Sequence, residues 1–70
     1  MTPKEKADEL YWIYYQLVAD SGHPENLARE LASIAVLETL RAAFYAKDEV
    51  YNFYIEVKIE LENYDSRKIN

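Results

Sequence analysis

Leu10-Tyr11-Trp12-Ile13-Tyr14-Tyr15-Gln16-Leu17-Val18-Ala19 is apolar or aromatic at nine of its ten positions, with four aromatics packed between Tyr11 and Tyr15. Ala7, Leu10, Tyr11, Tyr14, Leu17 and Val18 recur three and four apart, which predicts a helix with one core-facing stripe. A helix in a small bundle needs only one such stripe, about 100° wide or somewhat more. Trp12, Tyr15 and Ala19 form a second face. A chain of 70 residues is too short to cover both, so the second face is expected to meet another copy of the chain or a ligand.

Working outward, the start of this helix is marked by Thr2 as N-cap, Pro3 at the first helical position and Glu5 two residues later, the reciprocal Thr-x-x-Glu box. Its end is expected near Asp20, with Ser21-Gly22 as the cap and the only glycine supplying a positive φ. A second helix is predicted from Pro24 to about residue 46, with Glu25 favourable at the positive end of its dipole. It too is broadly apolar. One face carries Leu27, Leu31, Ile34, Ala35, Ala42 and Tyr45, and another Val36, Leu37, Leu40 and Phe44. Small residues, among them Ala28, Ala32, Ser33 and Ala43, would let a neighbouring helix approach closely.

A third helix, about 49–64, has the most regular seam: Val50, Tyr54, Val57, Leu61 and Tyr64 alternate four and three apart. Asp48 can cap it. Yet no proline or glycine follows Pro24, so a single helix over 24–64, roughly 60 Å long at 1.5 Å per residue, is an alternative to two. Residues 65–70 are expected to fray. The expected fold is all-α, two or three amphipathic helices (3–20, 24–46, 49–64) in one domain, 1–70, that oligomerises.

Composition narrows the chemistry. The chain has no cysteine and one histidine, His23, which removes disulfides, thiolate metal sites and thiol catalysis together. Small chains commonly gain stability from disulfides, a metal or association; association is the route left. The net charge is −5, and the basic residues are scattered, so no cationic face is formed for DNA or RNA. No membrane span or signal peptide is visible, and a cytoplasmic location is expected. No cofactor and no metal site is expected. Glycine-rich phosphate loops, His-Glu-x-x-His and an activated Ser or Cys nucleophile are all missing, so the expectation is not an enzyme.

The candidate ligand-binding residues are Tyr11, Trp12, Tyr15, Arg29, Glu38 and Arg41. Flat rings beside an arginine can hold a nucleobase; the plainer use of the same rings is core and subunit interface. Glu38 falls among apolar positions of the second helix, where a carboxylate is costly unless paired. Arg41 is the partner within reach, and a ligand-facing acceptor is the sharper use. Arg29 and Arg41 offer forks for phosphate, though surface pairs, such as Arg29 with Glu25, serve as well. His23 reads as an exposed loop residue or cap, and Glu56, Glu60 and Glu62 as a solvated face.

Three stretches carry a resemblance: the opening Thr2-Pro3-Lys4-Glu5-Lys6-Ala7-Asp8-Glu9-Leu10, the middle Ala32 to Leu40, and the end Tyr54 to Glu62. Together they resemble short uncharacterised helical proteins of Bacteroidota phages and prophages. The chain departs from that group in its Tyr11–Tyr15 cluster and in the short connection before Asp48. The resemblance transfers no functional residue. It implies a phage accessory protein acting by stoichiometric binding, either as an oligomeric sponge for nucleotide immune signals or as a small inhibitor of a host protein.

The expected function is therefore a non-enzymatic oligomeric binding protein, with anti-defence sequestration of a nucleotide-derived signal at subunit interfaces as its concrete form. The rings of Tyr11, Trp12 and Tyr15 would stack on the base and Arg29 or Arg41 would meet phosphates. The alternatives are a module that docks its aromatic face on a host protein, and a purely structural oligomer. The expected partners are a second copy, a small nucleotide or a host protein.

Overall fold

The computed structural model describes residues 1–64 and contains three helices: α1 (Pro3–Val18), α2 (Pro24–Ala43) and α3 (Glu49–Glu62). The fraying expected for residues 65–70 lies outside the described residues. Each helix packs against both others, giving a three-helix bundle.

The start of α1 is as the capping box requires. Thr2 Oγ1 accepts from the Glu5 N–H at 3.2 Å, and Glu5 Oε1 accepts from the Thr2 N–H at 2.8 Å. Two otherwise orphaned N–H groups are satisfied together. The end differs from expectation. The helix stops at Val18 rather than near Asp20, the Ser21 N–H donates to the Val18 carbonyl at 3.0 Å, and Gly22 does not adopt a positive φ. A tightened last turn satisfies that carbonyl, so a left-handed glycine is not needed there.

The single helix over 24–64 does not form. α2 ends at Ala43, three residues before the expected boundary, and the N–H groups of Ala46 and Lys47 both donate to the Ala43 carbonyl at 3.1 Å. Lys47 takes the left-handed conformation, φ 47°, normally left to glycine or asparagine. Its ammonium lies 4.8 Å from the centre of the Phe44 ring. Asp48 then caps α3, Oδ1 accepting from the N–H groups of Val50 and Tyr51 at 3.1 and 3.2 Å. The third helix closes at Glu62, two residues early, where the Asn63 N–H donates to the Ile59 carbonyl.

The core is narrow. From α2 it takes Ala28, Ala32, Val36 and Leu40, spaced by four; α1 contributes Ala7 and Tyr11, and α3 contributes Val57 and Leu61. Of the two faces expected for the second helix, the one with Val36, Leu37, Leu40 and Phe44 is half right: Val36 and Leu40 are buried, while Leu37 and Phe44 are exposed, and the other face lies outside the buried line. The inward stripe runs through two alanines, whose small side chains let α1 and α3 approach, and it leaves Ile34, Leu37, Phe44 and Tyr45 exposed. Leu17, expected in the core, is 74% exposed. It lies to one side of the line Ala7–Tyr11–Tyr14–Val18 that faces the bundle, close to the end of α1. Val50, expected to begin the α3 seam, is likewise exposed in the first turn.

Two predictions follow from these ends. A left-handed non-glycine residue costs about 1–2 kcal/mol, and glycine's extra chain entropy takes back about 0.5–1 kcal/mol. Lys47→Gly also removes the contact with Phe44, so it is best compared with Lys47→Ala. Glycine should be the more stable of the two by roughly 0.5–1 kcal/mol in urea titration, and a less stable glycine variant would contradict the assigned turn. The second concerns pH. Hydrogen bonds from the Thr2 backbone and then its hydroxyl hold the Glu5 carboxyl below its ordinary value. Because the folded value lies below the unfolded one, the stabilisation is complete above the unfolded value and lost as pH falls through the folded one. The stability difference between the native chain and Glu5→Ala should close below about pH 4.

Candidate functional site

Along α1, Lys4, Asp8, Tyr11 and Tyr15 recur four, three and four apart, with Trp12 beside Tyr11 and four on from Asp8, so one flank of a single helix presents all five. Opposite them stand Glu25 in the first turn of α2 and Tyr64 just beyond α3. Together these seven residues line an open cleft of about 440 Å³. That volume is within the range of small-molecule sites, about 300–1,000 Å³.

The rings form a connected set. Tyr11 stacks on Tyr64 with centroids 4.5 Å apart and planes at 26°. Trp12 stands edge-on to Tyr11 at 5.1 Å and to Tyr15 at 5.0 Å. Tyr11 and Tyr15 are 5.9 Å apart, tilted by 33°. Such geometries contribute about 0.5–1.5 kcal/mol per pair beyond burial. Tyr11 is buried and forms the floor, while Trp12 is 53% exposed and forms the rim. The Tyr64 hydroxyl donates to Asp8 Oδ1, which ties the end of α3 to α1. Lys4 Nζ stands 3.7 Å from Asp8 Oδ2, with both side chains substantially in solvent, so that ion pair contributes little to stability. Two carboxylates and one ammonium make the lining slightly acidic.

Of the residues singled out from sequence, Tyr11, Trp12 and Tyr15 come together in this cleft. Arg29 is half-buried one turn beyond Glu25 on α2 and is not among the lining residues. Arg41 lies sixteen residues from Glu25 along the same helix, about 24 Å away at 1.5 Å per residue. Glu38 is not the desolvated carboxylate expected. Its side chain is 67% exposed and faces Arg41, itself 83% exposed, at 3.7 Å. The apolar residues around Glu38 are themselves on the outer side of α2, so water reaches the charge. Glu38 and Arg41 form a weak surface pair and do not belong to the cleft.

Lys4, Asp8, Glu25 and Tyr64 were missed as site residues. The α1 pair carried a signal, since both share the spacing of Tyr11, Trp12 and Tyr15. Tyr64 carried none locally, because it meets Asp8 across 56 positions of chain. His23 is exposed and occupies the N-cap of α2 without a side-chain capping bond. Among the described residues, no cluster of three or more His, Cys, Asp or Glu is placed to hold a metal ion, and no helix is long and apolar enough to cross a membrane.

Fold and cleft together define a small three-helix bundle with an aromatic, mildly acidic groove on the flank of its first helix. No protein-family model, curated protein or solved structure matches the chain.

The Tyr64 contacts can be separated by substitution. Tyr64→Phe keeps the stack on Tyr11 and removes the hydrogen bond to Asp8, at an expected cost of about 0.5–1.5 kcal/mol. Tyr64→Ala removes both and should cost at least about 1 kcal/mol more. Thermal unfolding checks the order. Equal effects would mean that the ring stack contributes nothing.

Proposed function

We propose that this protein is a non-enzymatic binding protein that works as a homo-oligomer and holds a flat ligand in the cleft of α1. The concrete ligand class is a nucleotide-derived immune signal, sequestered intact in the manner of phage anti-defence proteins, with cleft and subunit contact close together. The single observation that carries this reading is the juxtaposition of the Tyr11, Trp12, Tyr15 and Tyr64 rings around about 440 Å³ of open space. A base stacked on aromatic rings gains about 1–3 kcal/mol per base. The carboxylates of Asp8 and Glu25 repel phosphate, so the base enters between the rings while the phosphates stay outward, toward Lys4. Within one chain Arg41 does not reach the cleft, because it lies at the far end of α2.

A second reading has one specific observation in its favour. Ile13 and Leu17 are exposed on α1 beside Trp12, so the apolar rim extends past the cleft, as a surface docking on a host protein would.

Trp12 is the only tryptophan, so intrinsic fluorescence reports directly from the cleft. Titration with cyclic dinucleotides and cyclic ADP-ribose-type molecules is expected to quench Trp12 and raise the melting temperature. Tyr15→Ala should weaken the binding ligand roughly 5- to 150-fold while leaving helix content unchanged. If no member of the panel shifts either signal, and Leu17→Asp abolishes capture of one defined host protein, the docking function replaces sequestration.

A further inference from the structure

α2 is two-sided. Its inward line, Ala28–Ala32–Val36–Leu40, is consumed by the bundle. Its outward line runs Leu27, Glu30, Ile34, Leu37, Arg41, Phe44, spaced three, four, three, four, three. That is the alternation of a coiled-coil seam. The four apolar members are 38%, 55%, 48% and 47% exposed respectively, Glu30 is exposed, and the Arg41 side chain is 83% exposed.

This line is complementary to itself when reversed. Turning α2 end for end about a point between Ala35 and Val36 exchanges Leu27 with Phe44, Glu30 with Arg41, and Ile34 with Leu37. We infer that the outward face of α2 is a two-fold interface that takes a second copy of the chain in antiparallel orientation. At its centre Ile34 meets the second copy's Leu37, and at its ends Leu27 meets the second copy's Phe44. Between them Glu30 meets the second copy's Arg41. By symmetry every layer occurs twice, the self-matching that a two-fold contact demands.

Charge selects the orientation. A parallel pair in register would set Glu30 against Glu30 and Arg41 against Arg41, which is repulsive; the antiparallel pair makes two attractive contacts. The local Glu38–Arg41 pair is long and exposed, so it offers little resistance to Arg41 turning toward a new partner. The outer residues of α1, Trp12, Ile13 and Leu17, include no charged pair that reversal would match. The assembly surface is thus placed on α2 and not on the first helix, where the aromatic run alone would put it. The inference rests on the proposed self-association but not on the ligand of the cleft, since none of these six residues lines it.

The test uses the full chain and sedimentation equilibrium from micromolar to millimolar concentration. A mass of about twice 8.3 kDa is expected at the upper end, falling toward 8.3 kDa on dilution. Glu30→Arg and Arg41→Glu, each at an exposed position, should each weaken association at least about tenfold, and the double variant E30R/R41E should restore it to within about threefold. Circular dichroism checks that every variant keeps its helix content. A chain that stays monomeric throughout overturns both self-association and this interface. A dimer indifferent to the single substitutions, or not restored by the double one, leaves self-association standing and overturns the α2 interface.

Discussion

Two alanines, Ala28 and Ala32, govern how the bundle closes. Both are fully buried on α2, where their small side chains bring the backbones of α1 and α3 close. With them Ala7, Tyr11, Val36, Leu40, Val57 and Leu61 are buried, and Leu10, Tyr14, Tyr51, Phe53, Tyr54, Ile55 and Tyr64 pack partly buried against this core. Trp12, Ile13 and Leu17 on α1, and Leu27, Ile34, Leu37 and Phe44 on α2, remain at the surface. Scattered exposed leucines are ordinary on small proteins, but here they fall into lines.

Much of this was legible in the chain. The Thr2–Glu5 box, Pro3 and Pro24 at the helix starts, and the Asp48 cap all appear where residue chemistry places them. Other features were hidden, for identifiable reasons. Ala28 and Ala32 could be read as points of close helix approach, and Val36 and Leu40 as one face, but larger residues on either side obscured that all four form one buried line. The break between α2 and α3 uses a left-handed lysine, for which sequence offers no marker, while Gly22, the obvious candidate for that conformation, does not adopt it. For the cleft, the rings of α1 could be seen in advance, but Tyr64 reaches them only because α3 returns alongside α1. Glu38 looked buried because its neighbours are apolar, and those neighbours turned out to face water too.

The cleft and the outer face of α2 express one economy. In both helices, apolar residues that the core does not use lie at the surface. On α1 that surplus is aromatic and curls into a groove, with Tyr11 at its floor and Trp12 at its rim; on α2 it is aliphatic, linear and punctuated by opposite charges. The first is the surface we propose for a flat ligand, and the second the surface we propose for a helix of the same sequence. A slightly acidic groove favours neutral or cationic rings over exposed phosphate.

The claim that α2 buries one face and leaves the opposite apolar face for a second copy is tested most directly at two adjacent residues, Val36 and Leu37, which are 0% and 48% exposed. Chemical denaturation of Val36→Ala and Leu37→Ala, each in dilute and concentrated solution, separates the two faces. Val36→Ala should lose stability equally at both concentrations. Leu37→Ala should match the native chain when dilute and fall behind it only when concentrated. A Leu37→Ala variant as damaged in dilute solution as Val36→Ala would contradict the account.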